Sequence, residues 1–231
     1  MRSMALLDPV PPPYDIGEWQ KKPFPERVKV VCQAWALQGY GTPWPIYLVY
    51  ILKIFLYVWV WSLFCSFTPG LVNLGDLSAW YYEPIAFQKA VLWSMAFEAL
   101  GLGCGSGPLT GRYNPPFGGP IYFCRPGTIK APFWPGLPLL GGAKRRWFEV
   151  LLYVAYIGSL VRALVAPELS IELFIPPLVL LPLLGMTDKT IFLASRAEHY
   201  YTALVCFMFV DDWLPASKLV WVAIWMWAAT S

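Results

Sequence analysis

The stretch IYLVYILKIFLYVWVWSLFCSF, residues 46–67, decides the fold class of this chain. It contains a single charged side chain, Lys53. A helix needs about 20 largely apolar residues to cross the hydrocarbon core of a bilayer. The stretch therefore predicts a membrane-spanning α-helix, and with it an integral membrane protein.

The composition of the whole chain agrees with this prediction. Of its 231 residues, 58% are hydrophobic, 17% are aromatic and only 13% are charged. Soluble domains have roughly 25% charged residues. The net charge of +3 is small, and no basic helix carries interleaved stacking aromatics, so a nucleic-acid partner is excluded.

Further apolar segments predict an all-α bundle of about six transmembrane helices, with five or seven as alternatives. Ile171–Leu184 is short and interrupted by three prolines, so it is either a kinked span or a re-entrant segment. The predicted spans are residues 46–67, 84–102, 147–165, 171–184, 199–210 with an extension to 214, and 218–229.

The distribution of Lys and Arg predicts the orientation. Residues 1–45 contain five, residues 103–146 contain six and residues 186–198 contain two, whereas the alternate loops contain none. Because cytoplasmic loops collect basic residues, the N-terminus is predicted to be cytoplasmic. Lys89 and Arg162 lie near the ends of their helices that are predicted to be on the outer side of the membrane. Each is expected to reach water or headgroups there.

The predicted organisation has four parts. Residues 1–45 form a Pro-rich N-terminal segment, whose residues 25–39 have the apolar spacing of an amphipathic helix lying on the cytoplasmic leaflet. A soluble helix folded over the cytoplasmic loop is the alternative. The first two spans occupy 46–102, a Gly/Pro-rich basic loop occupies 103–146, and the third to sixth spans occupy 147–231.

The loop 103–146 is the most distinctive part of the chain. It contains ten Gly, eight Pro and six basic residues but no acidic residue. Such a long loop is usually functional or disordered, and its aromatic residues argue against disorder. We expect lipid or partner contacts from Arg112, Arg125, Lys130 and Trp134, with Lys144, Arg145 and Arg146 as a topology anchor. A purely structural loop with snorkelling arginines is the alternative.

Three stretches of the chain carry a resemblance to a known family. They are QGYGTPWPIYLVYILKIFLY (residues 38–57), EPIAFQKAVLWSMAFEALGLGCGSGPLTGR (83–112) and GLGCGSGPLTGRYNPPFGGPIYFCRPGTIKAPFWP (101–135). They resemble DUF3556, a bacterial family of multi-pass transmembrane proteins of unknown function. The resemblance implies an integral membrane protein without an assigned activity. Members of this family are more than twice as long, so the chain is expected to be a short relative, a processed form or an N-terminal part.

Two charges predicted inside the membrane are functional candidates. Lys53 and Glu98 lie at similar depths on antiparallel spans, so they are predicted to form an intramembrane ion pair. A proton or substrate site and independent snorkelling are the alternatives. The third candidate is His199, the only histidine, which could ligate a cofactor metal or act as a base beside Glu198. A hydrogen-bonded anchor at the membrane interface is the alternative for His199.

No sequence pattern identifies a reaction. The five cysteines show no metal-ligand or redox spacing, so no metal site is predicted, and no catalytic triad or phosphate-binding loop can be recognised.

Two functions remain open. The first is a non-catalytic subunit of the bacterial inner membrane that packs against other membrane proteins, with membrane lipids also bound. The alternative is a membrane-embedded enzyme or carrier acting on an anionic lipid or isoprenoid at the cytoplasmic face. Any cofactor is unknown, although bound lipids are expected.

Overall fold

The structure, a computed structural model, describes residues 12–38, 44–71, 77–103 and 118–230. Regular secondary structure in these residues is helical, apart from an isolated antiparallel bridge between Ile129 and Lys144. The chain divides into two compact units, Met1–Phe55 and Leu56–Ser231. In chain order the helices are α1 (Ile16–Lys21), α2 (Phe24–Gln38), α3 (Trp44–Cys65), α4 (Leu77–Trp80), α5 (Pro84–Ala99), α6 (Gly118–Phe123), α7 (Trp147–Val165), α8 (Ile171–Thr187), α9 (Lys189–Ala194), α10 (Ala197–Phe209) and α11 (Trp213–Thr230).

Two helices of the described residues are long and apolar enough to cross a membrane. They contain the 19-residue segments Tyr47–Cys65 and Trp147–Val165. The apolar helix α8 is shorter, at 17 residues. The helices α5, α10 and α11 occupy positions where the sequence predicts three more spans, but their passage through a membrane stays a prediction.

The first unit contains a small helical pair before α3. Asp15 caps α1, because its carboxylate accepts a hydrogen bond from the backbone N–H of Glu18 at 2.8 Å. The indole of Trp19 donates to the carbonyl of Arg27 at 3.0 Å and so links α1 to α2. The helix α2 covers nearly the same residues as the predicted interfacial helix 25–39, and its location on a membrane surface stays a prediction.

The helix α8 is longer than the predicted segment 171–184. It continues to Thr187 with Pro176, Pro177 and Pro182 inside it. Proline removes backbone hydrogen bonds from a helix interior. The helix persists here because it packs against α7 and α10, with Phe174, Leu181 and Leu184 buried.

The helix α5 ends three residues before the predicted boundary at Leu102. Gly101 adopts a positive φ of 70°, which a residue with a side chain rarely adopts. Two hydrogen bonds close the end of the helix, from Gly101 N–H to the Glu98 carbonyl and from Leu102 N–H to the Phe97 carbonyl, both at 2.9 Å. This is a Schellman motif, so the glycine ends a helix that hydropathy alone would continue.

The core of the second unit lies around α5. This helix packs against α7 and α10, and α7 also packs against α8. Side chains from four helices are fully buried there, among them Leu92, Met95, Tyr156, Leu181 and Leu204. The Tyr153 hydroxyl donates to the Ala99 carbonyl at 3.0 Å, which ties α7 to the end of α5.

Lys89 is wholly buried in this unit, so the expectation that it reaches water or headgroups is wrong. Its ammonium donates to the carbonyl of Phe64 at 2.8 Å. Carbonyls in the last turn of a helix lack partners within that helix and carry the negative end of its dipole. Lys89 therefore caps the C-terminal end of α3 from the neighbouring helix α5.

This cap predicts unequal effects for two substitutions of Lys89. Lys89→Ala should lower the free energy of unfolding by about 2–4 kcal/mol, because it leaves a cavity and an unpaired carbonyl. Lys89→Met also leaves the Phe64 carbonyl unpaired, but it should cost less than Lys89→Ala because it keeps the volume and removes a buried charge. Unfolding in mild detergent measures both, with the exposed Lys218→Ala as control. Equal losses for the two variants would contradict the explanation.

Candidate functional site

The described part of the basic loop, residues 118–146, has one face turned inward and one turned outward. Residues 127–130 pair with 143–145 through the bridge between Ile129 and Lys144. Arg145 N–H donates to the Thr128 carbonyl at 2.8 Å, and Lys130 N–H donates to the Ala143 carbonyl at 3.0 Å. Neighbouring side chains in paired segments alternate between faces. Lys130 and Arg145 accordingly point inward and are buried, whereas Ile129 and Lys144 are exposed.

Arg145 forms a fully buried ion pair with Asp188, at the junction of α8 and α9. Its guanidinium also donates to the Tyr122 carbonyl at 3.1 Å and to the Thr128 hydroxyl at 3.3 Å. The guanidinium carbon lies 4.7 Å from the centre of the Phe123 ring, which is within cation–π range. The expectation that Arg145 is a topology anchor at the membrane surface is therefore wrong, because its charge is satisfied inside the fold.

Asp188 binds the loop and caps a helix at the same time. One carboxylate oxygen accepts from the backbone N–H of Ala131 at 3.2 Å, the N–H of Thr190 at 3.0 Å and the Thr190 hydroxyl at 2.6 Å. The other oxygen accepts from Arg145. Asp188 is thus the N-cap of α9 and the attachment point of residues 131 and 145.

Two backbone hydrogen bonds strengthen this attachment. The N–H of Phe133 donates to the Met186 carbonyl at 3.1 Å, and the N–H of Lys189 donates to the Ala131 carbonyl at 2.8 Å. Loop residues 131–133 therefore lie along the C-terminal end of α8 and the start of α9.

A second buried ion pair joins the loop to α7. The Lys130 ammonium lies 2.6 Å from the Glu149 carboxylate, and both side chains are fully buried. Lys130 also donates to the Leu140 carbonyl at 3.0 Å. The Glu149 carboxylate accepts from the backbone N–H of Arg146 at 2.7 Å and from its guanidinium at 2.8 Å. We call Lys130, Arg145, Glu149 and Asp188 together the ion-pair junction.

The ion-pair junction has a structural rather than a chemical character. Each buried charge has an opposite partner and further hydrogen bonds, which offsets the cost of removing it from water. No solvent-facing acid or base remains at its centre. The junction therefore clamps residues 122–146 onto α7, α8 and α9.

The four residues of the loop that were predicted to contact lipid or a partner differ in their exposure. Arg125 and Trp134 are exposed, and Trp134 makes an edge contact with Phe133 at 4.7 Å between ring centres. Lys130 is held inside the ion-pair junction, so contact with lipid or a partner would require this pair to open. Arg112 lies outside the described residues.

Glu98 lies against a glycine just after the end of α5. A Cβ atom at Gly103 would lie only 1.9 Å from a carboxylate oxygen of Glu98, so this carboxylate occupies the space that a side chain would need. Lys53 is partly buried on α3. Lys53 and Glu98 belong to different compact units, and their ion pair stays a prediction.

His199 lies near the start of α10 among aromatic rings. Its Nδ1 is 3.1 Å from the Glu198 carboxylate, and its ring centre is 5.4 Å from that of Trp221. No group of three or more His, Cys, Asp or Glu side chains suited to a metal occurs in the part of the chain that the structure describes. A ligand or base role for His199 stays a prediction.

Sequence reasoning missed both acids of the ion-pair junction. Glu149 stands three residues after Arg146, the spacing of a helix N-terminus with a reciprocal cap, and Asp188 precedes a short helix as an N-cap residue does. These local signals were available. The pairing of Arg145 with Asp188 spans 43 residues and leaves no local pattern in the sequence.

The all-helical architecture, the two span-length helices and the basic loop together define a class, that of helical transmembrane proteins. A family model described as "transmembrane protein of unknown function (DUF3556)" matches residues 4–231. The chain therefore belongs to the DUF3556 family, and the resemblance drawn from its sequence is confirmed. Comparison with curated proteins and with solved structures found no match.

The ion-pair junction predicts strong coupling between Arg145 and Asp188. Asp188→Asn keeps a capping oxygen but leaves Arg145 as an uncompensated buried cation, so the free energy of unfolding should fall by about 3–5 kcal/mol. Arg145→Met combined with Asp188→Asn should recover part of this loss, because no buried charge then remains. Thermal unfolding in mild detergent measures the cycle.

The control for this cycle is the exposed pair of Glu18 and Lys21 on α1. Exposed ion pairs contribute little because water screens them, so Lys21→Met and Glu18→Gln should leave the melting temperature unchanged. Strictly additive losses for Arg145 and Asp188 would show that the two charges do not stabilise each other.

Proposed function

We propose that the protein is a non-catalytic integral membrane subunit that packs against other membrane proteins in a larger assembly. The main support is how the loop uses its charges, because Lys130, Arg145, Glu149 and Asp188 are all occupied by internal pairing. Side chains held in this way fix a shape and are poorly suited to acid–base chemistry.

The helix α11 supports the same proposal. It packs on α10, and Ser217 is its only buried residue. Trp225 and Trp227 are 74% and 77% exposed. Aromatic side chains of this size are enriched at protein interfaces, where they bury large areas at little entropic cost. These two side chains point to different sides of the helix, because residues i and i+2 do not face each other. We propose that the exposed C-terminal part of α11 contacts a neighbouring membrane subunit.

The proposed topology is multi-pass in a bacterial inner membrane, with about six spans and a cytoplasmic N-terminus. The excess of Lys and Arg in residues 1–45 and 103–146 supports this orientation. The loop and the helix α2 would then lie on the cytoplasmic side, where the exposed Arg125 and Trp134 are available for contact with lipid or a partner.

A second candidate function is an enzyme or carrier acting on an anionic lipid or isoprenoid at the cytoplasmic face. The observation favouring it is a line of polar groups along α5. The Tyr57 hydroxyl lies 2.8 Å from the Ser94 hydroxyl and 3.2 Å from the Ala90 carbonyl, and Glu98 follows one turn later. Polar groups inside a membrane bundle often mark substrate or proton paths.

The orientation predicts which face of the membrane exposes Cys124. A membrane-impermeant maleimide should label single-cysteine variants retaining Cys124 or Cys32 only from the cytoplasmic side, since both residues are exposed. Although Cys124 is exposed overall, partial desolvation of its thiol raises the pKa of this group, and the Arg145 charge opposes the shift only in part. Fewer thiolates are then present at neutral pH, so labelling of Cys124 should accelerate at higher pH than labelling of an ordinary thiol.

The control for the labelling is a variant that retains only the buried Cys65, which should stay unreactive in the folded protein. Labelling of Cys124 exclusively from outside the cell would reverse the proposed topology.

The subunit proposal predicts a stoichiometric partner after purification under mild conditions. Trp225→Ala combined with Trp227→Ala should reduce recovery of this partner at least tenfold, because it removes the two most exposed aromatic side chains of α11. The matched control is Tyr81→Ala with Tyr82→Ala, two exposed aromatics elsewhere in the second unit. A monodisperse lone chain that holds a lipid tightly and converts or moves it would instead favour the enzyme or carrier.

A further inference from the structure

The solvent-exposed side chains of the loop and of the first residue of α7 include both cations and apolar groups, and the bridge places Ile129 and Lys144 on one side. We propose that this exposed surface binds the headgroup layer of an anionic phospholipid membrane. Its cations are Arg125 and Lys144, and its apolar members are Ile129, Trp134 and Trp147, all of which are exposed. We call these five residues the outer loop face.

The charge of the outer loop face follows from the ion-pair junction behind it. Residues 118–148 contain no Asp or Glu, so every charged side chain in this segment is a cation. Lys130 and Arg145 are neutralised by Glu149 and Asp188, and Arg146 is shared with Glu149. Arg125 and Lys144 remain outside as exposed cations, which makes this face complementary to an anionic surface.

The pairing of residues 127–130 with 143–145 gives this face its composition. Ile129 and Lys144 are directly opposite each other in the bridge, so their side chains emerge on the same side. Ile129 is 66% exposed. An apolar side chain beside a long cationic one suits the boundary between acyl chains and headgroups, where lysine extends its charge toward phosphate.

The position of the face in the chain favours a membrane over a protein partner. Trp147 is 69% exposed and begins the 19-residue apolar segment Trp147–Val165. Tryptophan is enriched at the level of the headgroups, where membrane-spanning helices begin. Lys144 stands three residues before Trp147, so a bilayer that receives α7 would lie within reach of the outer loop face.

This inference rests on the membrane location within the proposed function, but not on any protein partner. Its test is therefore separate from co-purification, and either proposal can fail alone. The probe is phosphatidylglycerol, titrated into delipidated protein in mild detergent, with phosphatidylcholine as the neutral lipid. The rise in melting temperature with lipid concentration gives an apparent affinity, since binding to the folded state stabilises it.

The wild-type chain is expected to bind phosphatidylglycerol more tightly than phosphatidylcholine. Salt at 0.5 M should abolish this preference, because the Debye length falls to between about 3 and 8 Å and the attraction between the cations and the lipid headgroups is screened. Arg125→Gln with Lys144→Gln should weaken the apparent affinity by about 20- to 30-fold, since each cation near an anionic surface contributes roughly fivefold. The matched control is Arg162→Gln with Lys218→Gln, exposed cations of α7 and α11 that are not part of the loop. It should change the affinity less than about twofold.

Several results would overturn the proposal. Equal loss in both double variants would mean that only net charge matters, and retained preference in the loop variant would exclude this face. Stabilisation by inorganic phosphate alone would indicate a small anion site instead of a membrane surface. Loss of a co-purified protein without loss of lipid preference would assign the face to a protein. If the loop variant fails to fold, the proposal is tested on the wild-type chain alone. A lipid preference that is absent, or that does not depend on salt, contradicts the proposal.

Discussion

The ion pair between Arg145 and Asp188 is the interaction on which the described part of the loop depends. Arg145 reaches the loop carbonyl of Tyr122 and the hydroxyl of Thr128, while Asp188 holds Ala131 and caps α9. Removing either charge would leave several buried polar groups without partners at once. A segment rich in glycine and proline, which would otherwise be costly to order, thereby acquires one defined arrangement against α8 and α9.

The buried pairs also divide the basic residues of the loop by role. Two buried cations in a low-dielectric interior require two carboxylates, and these come from α7 and from the junction of α8 and α9. Two further cations of the described part of the loop, Arg125 and Lys144, are exposed. The composition of the loop does not distinguish its basic residues from one another. The fold does, because it buries some of their side chains and exposes others.

Much of the helical framework could be predicted from hydropathy. The helix α7 has the bounds Trp147–Val165 expected from the sequence, because an apolar run flanked by Arg146 and Pro167 has sharp ends. The errors occur where backbone geometry or tertiary packing overrides hydropathy, as when Gly101 ends α5 early and packing carries α8 through its prolines to Thr187. For the candidate site, the sequence singled out the loop that contains Lys130 and Arg145. It misassigned Arg145 and missed Asp188, because contacts between distant residues leave no periodic signal.

The distribution of charge bears on function more directly than any single residue does. An active site keeps an acid, base or nucleophile poised toward substrate, and its surroundings shift that group away from its resting state. The ion-pair junction does the reverse, since its carboxylates are buried and accept hydrogen bonds from cations and backbone donors. The polar groups between α3 and α5 are different, because Tyr57 of α3 and Ser94 of α5 bond mainly to each other and to a helix carbonyl. If this family performs chemistry, Glu98 and the other polar groups at α5 are the candidates for its reacting groups, while we propose that the loop contacts the membrane surface.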